Sequence, residues 1–264
     1  TENFVQPQQS REDHKGWHFP SGSAFAQTLV FGGKRAETRV THVTSGEWHF
    51  LSYRWNEAQT DAHLVPEQGG EVLVPHPQLP QRTVTRRIPS RAECATCHTQ
   101  ASFFVLGVST AQLDRGNQLE MILSTYPSRF RPHLFKPERR PAPLINPYHS
   151  HSGSSLDQRA RTYLSINCAH CHREAGLGGR ADLRLLLTEP LETAGLLNAT
   201  PLVGLTGHPE AMVINPGHPE TSELLHRMSL RDGGAQMPLL DTNFVDEEGV
   251  ALLTEWILSL ESQP

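Results

Sequence analysis

The spacing of apolar residues changes character along the chain. Near the start, the runs from Ser23 to Phe31, Thr38 to Val43 and Trp48 to Trp55 alternate or cluster β-branched and aromatic residues, as half-buried strands do. Gly32-Gly33 and Ser45-Gly46 separate these runs. Such pairs supply the positive φ of a tight hairpin turn, so the pattern predicts an antiparallel sheet. A shorter run, Glu71 to Val74, follows Gly69-Gly70 and reads as a further strand. Near the end the period lengthens. Leu156, Ala160, Tyr163 and Leu164 recur at i, i+4, i+7 and i+8 behind Ser154 or Ser155 as cap, which predicts a helix. A last helix is expected from Asp246, with Glu247 and Glu248 in a first turn that favours negative charge, and with Leu253, Trp256, Ile257 and Leu260 as its apolar stripe.

These patterns predict an α+β chain with strands first and helices after. Between them, Pro127, Pro132, Pro137, Pro141, Pro143 and Pro147 alternate with Arg129, Arg131, Arg139 and Arg140. Proline stiffens such a segment and restricts helix, so it reads as an ordered strap between two units. We therefore expect a β unit over residues 1–115, a Pro/Arg-rich strap over 116–154 and a helical unit over 155–264. A chain of 264 residues is long enough for two cores.

The net charge of −5 is mild and the arginines are scattered among acids, which excludes the basic stripe of a nucleic-acid partner. The hydrophobic fraction is 37%, and no apolar run reaches the roughly 18–20 residues that span a bilayer. The chain opens Thr1-Glu2-Asn3 without an initiator methionine, so an N-terminal segment upstream of it is expected.

All four cysteines fall in two copies of one pattern, Cys94-Ala-Thr-Cys97-His98 and Cys168-Ala-His-Cys171-His172. CxxCH is the signature of covalent c-type haem attachment, in which both thiols add to the haem vinyl groups and the histidine becomes an axial iron ligand. With 15 histidines in 264 residues, chance puts histidine after both pairs roughly 0.3% of the time, which disfavours a plain CxxC redox pair. A zinc site of four thiolates would space its pairs by roughly 15–20 residues, whereas about 70 intervene here. A disulfide within either pair is sterically poor at a helix start. Two covalently bound haem c groups are the expectation, on Cys94, Cys97 and His98 and on Cys168, Cys171 and His172, with His98 and His172 on the irons.

Gly233 to Leu239 reads as a loop with Met237 at its apex. A thioether is a soft, neutral ligand that favours ferrous iron, so Met237 is the expected distal ligand of the second haem. Met228 lies in the helix-like run Leu224-Leu225-His226-Arg227-Met228, where methionine more often fills core, and Met212 is the weaker rival. For the first haem, His42, His49, His133, His149 and His151 stay open as distal ligands.

The order CxxCH, long loop, Met237-Pro238 and final helix resembles class I cytochromes c. Over residues 17–110 a second resemblance enters, carried by Phe19-Pro20-Ser21-Gly22-Ser23, the aromatic strand, the run from Ile88 to His98 and Phe104-Val105-Leu106-Gly107. This part is similar to the β-sheet c-haem cytochromes, among them cytochrome c′-beta and the lysine-crosslinked, hydroxylamine-oxidising cytochromes. Gln27 occupies the position of the crosslinking lysine, so the resemblance implies no crosslink. Glu37 falls where some members place a distal-pocket carboxylate, while the strand pattern reads it as a solvent-exposed acid. Over its full length the chain resembles a bacterial family of dihaem c-type cytochromes that fuse such a β domain to a class I domain. The markers are Glu37-Thr38-Arg39, Ser52 to Asn56, Asn167 to His172 and Val245 to Leu252.

The resemblance implies maturation outside the bacterial cytoplasmic membrane, hence a periplasmic or otherwise extracytoplasmic protein. Two iron centres imply that electrons move, so electron transfer between periplasmic redox proteins acting as donor and acceptor is the expected role. The alternative is an oxidoreductase acting on peroxide, nitric oxide or hydroxylamine at an open haem in the β domain, with the second haem relaying electrons.

Overall fold

The structure is a computed structural model, and the residues described are 6–7, 17–114, 117–125, 144–149, 153–231 and 234–260. The expected order holds: antiparallel strands come first and helices follow. Strands β1 (Gln6–Pro7) and β2 (Trp17–His18) pair with each other. Strands β3 (Ala24–Phe31), β4 (Lys34–Thr44), β5 (Glu47–Trp55) and β6 (Ala62–Leu64) form a four-stranded sheet in that order, and β7 (Gly70–Pro75) pairs with β8 (Thr83–Ile88). The first two turns of the large sheet lie where the sequence puts them. Gly32 and Gly33 have φ of 55° and 78°, and Ser45 and Gly46 have 53° and 83°, the double positive φ whose twist suits a two-residue hairpin.

Register then decides what each face carries. Thr41 pairs with Phe25 and Phe50, and Arg39 with Gln27 and Ser52, so one face presents Phe25, Gln27, Leu29, Glu37, Arg39, Thr41, Trp48 and Phe50. His42 and His49 are cross-strand partners on the opposite face, where their rings stack at 4.8 Å. The first face packs on a small core of Trp17, Phe19, Val105 and Leu119. Leu119 belongs to helix α3 (Gln118–Thr125), inside the segment read as a strap, so the first unit runs past residue 115. The strap reading neglected the stretch of this segment that precedes its prolines. Pro127, Pro132, Pro137, Pro141 and Pro143, the four strap arginines, His133 and His151 lie outside the described residues. Residues 144–149 do bridge the units: Leu144 N–H donates to Ala111 O in helix α2 (Thr110–Leu113) at 3.0 Å, and Arg159 Nε donates to Pro147 O at 2.9 Å.

The helical unit is built on α4 (Leu156–Asn167), α5 (Glu223–Ser229) and α6 (Glu247–Leu260). Ser155 caps α4 through a reciprocal box with Gln158, which satisfies two otherwise orphaned backbone donors. Ala160, Tyr163 and Leu164 meet Leu253, Trp256 and Ile257 in its core. At about 1.5–3 kcal/mol for each large side chain removed from water, this crossing is a main source of the unit's stability. No helix among the described residues is long and apolar enough to cross a membrane.

Candidate functional site

Helix α1 (Arg91–Cys97) delivers the first cysteine pair. Ser90 Oγ accepts from Glu93 N, and the Glu93 carboxylate accepts from Ser90 N and from Arg87. The Arg87 guanidinium, helped by that backbone N–H, pulls the Glu93 carboxyl down to about 2. The first turn of α1 is thus pinned between Ser90 and Glu93, directly before Cys94. The second pair follows α4, with Cys168 as its C-cap.

The two pentapeptides share one local geometry. His98 N–H donates to Cys94 O at 3.0 Å, and His172 N–H donates to Cys168 O at 2.9 Å. A helical turn of this kind puts residues i, i+3 and i+4 on one side, so two thiols and an imidazole face the same way. The four cysteines are free thiols. Burial raises Cys94 and Cys168, the latter to about 12.

The two imidazoles differ at Nδ1. His98 Nδ1 lies 2.6 Å from Phe104 O, and a carbonyl only accepts, so Nδ1 carries the proton and Nε2 keeps the lone pair that binds a metal. Phe50 packs on this ring at 4.9 Å, and Trp48 stacks on Phe104 at 5.3 Å. His172 Nδ1 is buried without a hydrogen bond of normal geometry, close against Gly178, where a Cβ would come within 2.6 Å of it. Burial, the Arg39 charge and His170 lower the pKa of His98, while burial, His170 and Arg227 lower that of His172. Two thiols followed at once by a histidine, present at both sites, are the donor set that covalent haem attachment uses.

The two motifs meet. Cys97 Sγ and Cys171 Sγ are 3.8 Å apart, and a ring nitrogen of His170 joins them in a group whose ligand atoms all lie within 4.8 Å of one another. The separation of about 70 residues used to set zinc aside does not keep the pairs apart, because folding returns the end of α4 to the end of α1. Cys94 and Cys168 stay outside this group, so the four thiolates of a structural zinc site do not converge.

Met237 is partly buried, and its N–H donates to Arg227 O at the end of α5. Arg227 is close enough to His172 for its charge to be felt there. Met228 is buried in the helical core, as its helix-like surroundings suggested, and Met212 lies in a backbone bridge with Ser222. Among the open histidines, His42 and His49 point away from the face on which Phe50 meets His98. His149 is exposed beside Tyr148, which bonds Asp246 at the start of α6.

Glu37 is a correction. Strand alternation read it as solvent-exposed, but it is fully buried, with Arg86 at 2.6 Å and Arg39 at 3.1 Å. Asp241, from the segment after Met237, pairs with the same two arginines. Burial works to raise the Glu37 carboxyl, yet the hydrogen bonds and charges of Arg39, with Ser52 and Arg86, hold it below the usual range. Arg39, Arg86 and Asp241 border a groove of about 400 Å³ that Gln27, Leu29, Phe31 and Phe244 also line. Arg86, Asp241 and His170 carry no local pattern that would have singled them out.

Comparison with protein-family models, with curated proteins and with solved structures finds no match in any of the three.

Proposed function

We propose that the chain is a dihaem c-type cytochrome that carries electrons between periplasmic redox proteins. In this reading the first haem is held by Cys94, Cys97 and His98. The second is held by Cys168, Cys171, His172 and Met237 in a class I arrangement. Covalently attached haem supplies one-electron redox chemistry. The chain's own residues orient the His98 imidazole through its Nδ1 side, leave the four thiols partly covered and bring the two motifs together.

The observation that carries the reading is the 3.8 Å contact between Cys97 and Cys171, which puts one sulfur from each site at a single spot. A relay needs its two groups side by side, whereas independent binding modules do not. The test is the visible spectrum of the purified protein, oxidised, dithionite-reduced and reduced under carbon monoxide, with a pyridine haemochrome count. Two haems without a carbon monoxide shift support the carrier; fewer than two haems overturn it.

A second reading, redox catalysis on a small molecule at the first haem, is favoured by the groove beside the sheet. Its Arg39 is felt at both Cys94 and His98, so a polar ligand there would lie near the first site. One high-spin, carbon monoxide-binding centre out of two would select this reading.

A further inference from the structure

The loop that carries Met237 is braced at both ends. Met237 N–H donates to Arg227 O at 2.9 Å, which ties its near side to α5. Gln236 Nε2 donates to Thr242 Oγ1 at 3.0 Å and to the carbonyls of Pro238 and Thr242 at 3.2 Å, and Thr242 Oγ1 donates to Pro238 O at 2.9 Å. Residues 236–242 therefore form one cross-tied unit, so Met237 cannot shift without disturbing Thr242.

The far side of that loop is anchored in the other unit. Asp241 has a left-handed backbone (φ 63°), a conformation aspartate tolerates better than most residues. Its carboxylate accepts from Arg39 at 2.5 Å and from Arg86 at 2.7 Å. Arg86 is itself buried and bound to the fully buried Glu37, so the anchor stands on a fixed base. Asn243 Oδ1 accepts from Arg87 N at 3.1 Å, and the Phe244 ring sits between Phe31 at 6.3 Å and His76 at 5.2 Å.

We propose that Asp241 is a positioning residue for Met237. The β unit, through Arg39 and Arg86, sets how firmly the second site's methionine is presented to its iron. The inference rests on the reading of Met237 as an axial ligand. In this reading the loop exchanges between a docked and an undocked arrangement, the Asp241 ion pairs favour the docked one, and only that one presents the thioether. The first unit thereby influences the second site without contributing a ligand to it.

The test uses the full-length, haem-loaded protein and two readouts at the second site: the far-red absorption band of methionine sulfur on ferric iron, and the rate at which added imidazole replaces that sulfur. Asp241→Asn keeps the side-chain size and removes the charge. We expect it to weaken the far-red band and to speed imidazole capture about tenfold, the change produced by loss of roughly 1.4 kcal/mol of docking preference. Asp241→Glu, which restores the charge, should recover most of both. Unchanged band and rate in Asp241→Asn, with two haems present, overturn the proposal. A wild-type protein with two haems and no methionine band instead overturns the assignment of Met237. If Asp241→Asn does not accumulate with both haems, Phe244→Leu loosens the same anchor without altering charge. Faster imidazole capture in that variant then supports the proposal, and an unchanged rate rejects it.

Discussion

Cys97 and Cys171 stand sulfur to sulfur at 3.8 Å, although 74 positions separate them in the chain. Closing this gap to a bond requires a shift of about 1.8 Å, because a disulfide holds its sulfurs at about 2.05 Å. The contact gives opposite outcomes with and without haem. In the loaded protein both sulfurs are thioethers, so a thiol assay under denaturing conditions should find no free cysteine. In chain produced without haem attachment and then oxidised, peptide mapping should find Cys97 linked to Cys171. Linkage confined to Cys94–Cys97 and Cys168–Cys171 would show that the two motifs do not meet in solution.

If Met237 is the distal ligand of the second haem, as proposed, Met237→Ala removes a neutral, soft ligand that favours the reduced state. We expect the second site's midpoint to fall by on the order of 0.1 V or more, within the roughly 0.8 V range that axial ligation commands, while the first site stays put. A spectropotentiometric titration of wild type and variant decides it. If both midpoints match wild type, the thioether is not on the iron and Met237 serves only to hold the loop.

Glu37 makes stability depend on pH in a definite direction. Its carboxyl is held below the ordinary value of 4.5 in the folded chain, so the unfolded chain takes up a proton first as pH falls. Its contribution is fully present above that value and is lost as pH drops through the folded pKa. The groups facing it are Arg39, Arg86 and Ser52, with Asp241 sharing both arginines. Glu37→Gln leaves the buried Arg86 with Asp241 alone, and breaking a buried pair in this way costs about 3–5 kcal/mol at neutral pH. Urea unfolding should show the gap between wild type and variant narrowing as pH falls below 4.5. A gap of constant size would mean that Glu37 is not the titrating group.

Local signals were legible and long-range cover was not. Gly32-Gly33 and Ser45-Gly46 announce their hairpins because positive φ is a property of the residues themselves. Ser155 announces α4, and Leu253, Trp256 and Ile257 announce the buried stripe of α6, for the same reason. Alternation assigns Glu37 to a face of β4, but it does not say what covers that face. The cover here comes from Arg86 in β8, 49 positions further along the chain, and from Asp241, which lies a further 155 positions beyond Arg86. Helix α3 was hidden by the prolines that follow it, and its Leu119 is buried in one cluster with Trp17, Phe19 and Val105, which no window of sequence contains. The two CxxCH pentapeptides are plain in the sequence, but their meeting at Cys97 and Cys171 belongs to the fold.

Gly249, near the start of α6, offers a test in which two effects compete. Alanine in a helix interior is favoured over glycine by about 1 kcal/mol, so Gly249→Ala should stabilise if propensity decides. Tyr163 opposes this. A Cβ at position 249 would meet the Tyr163 hydroxyl and two of its ring carbons closer than real Cβ contacts come. That ring cannot swing away freely, because it is buried in the α4–α6 core and its hydroxyl donates to Asp246 Oδ2 at 2.9 Å. Overpacking of this kind costs about 1–3 kcal/mol, and the lost hydrogen bond to a charged acceptor adds about 1.5 kcal/mol or more. The steric cost is the larger, and we expect Gly249→Ala to lower the thermal midpoint by several degrees. Gly249→Ala combined with Tyr163→Leu, which relieves the contact, should recover part of the propensity gain relative to Tyr163→Leu alone. A single variant more stable than wild type would mean that Tyr163 does not lie against α6 as described.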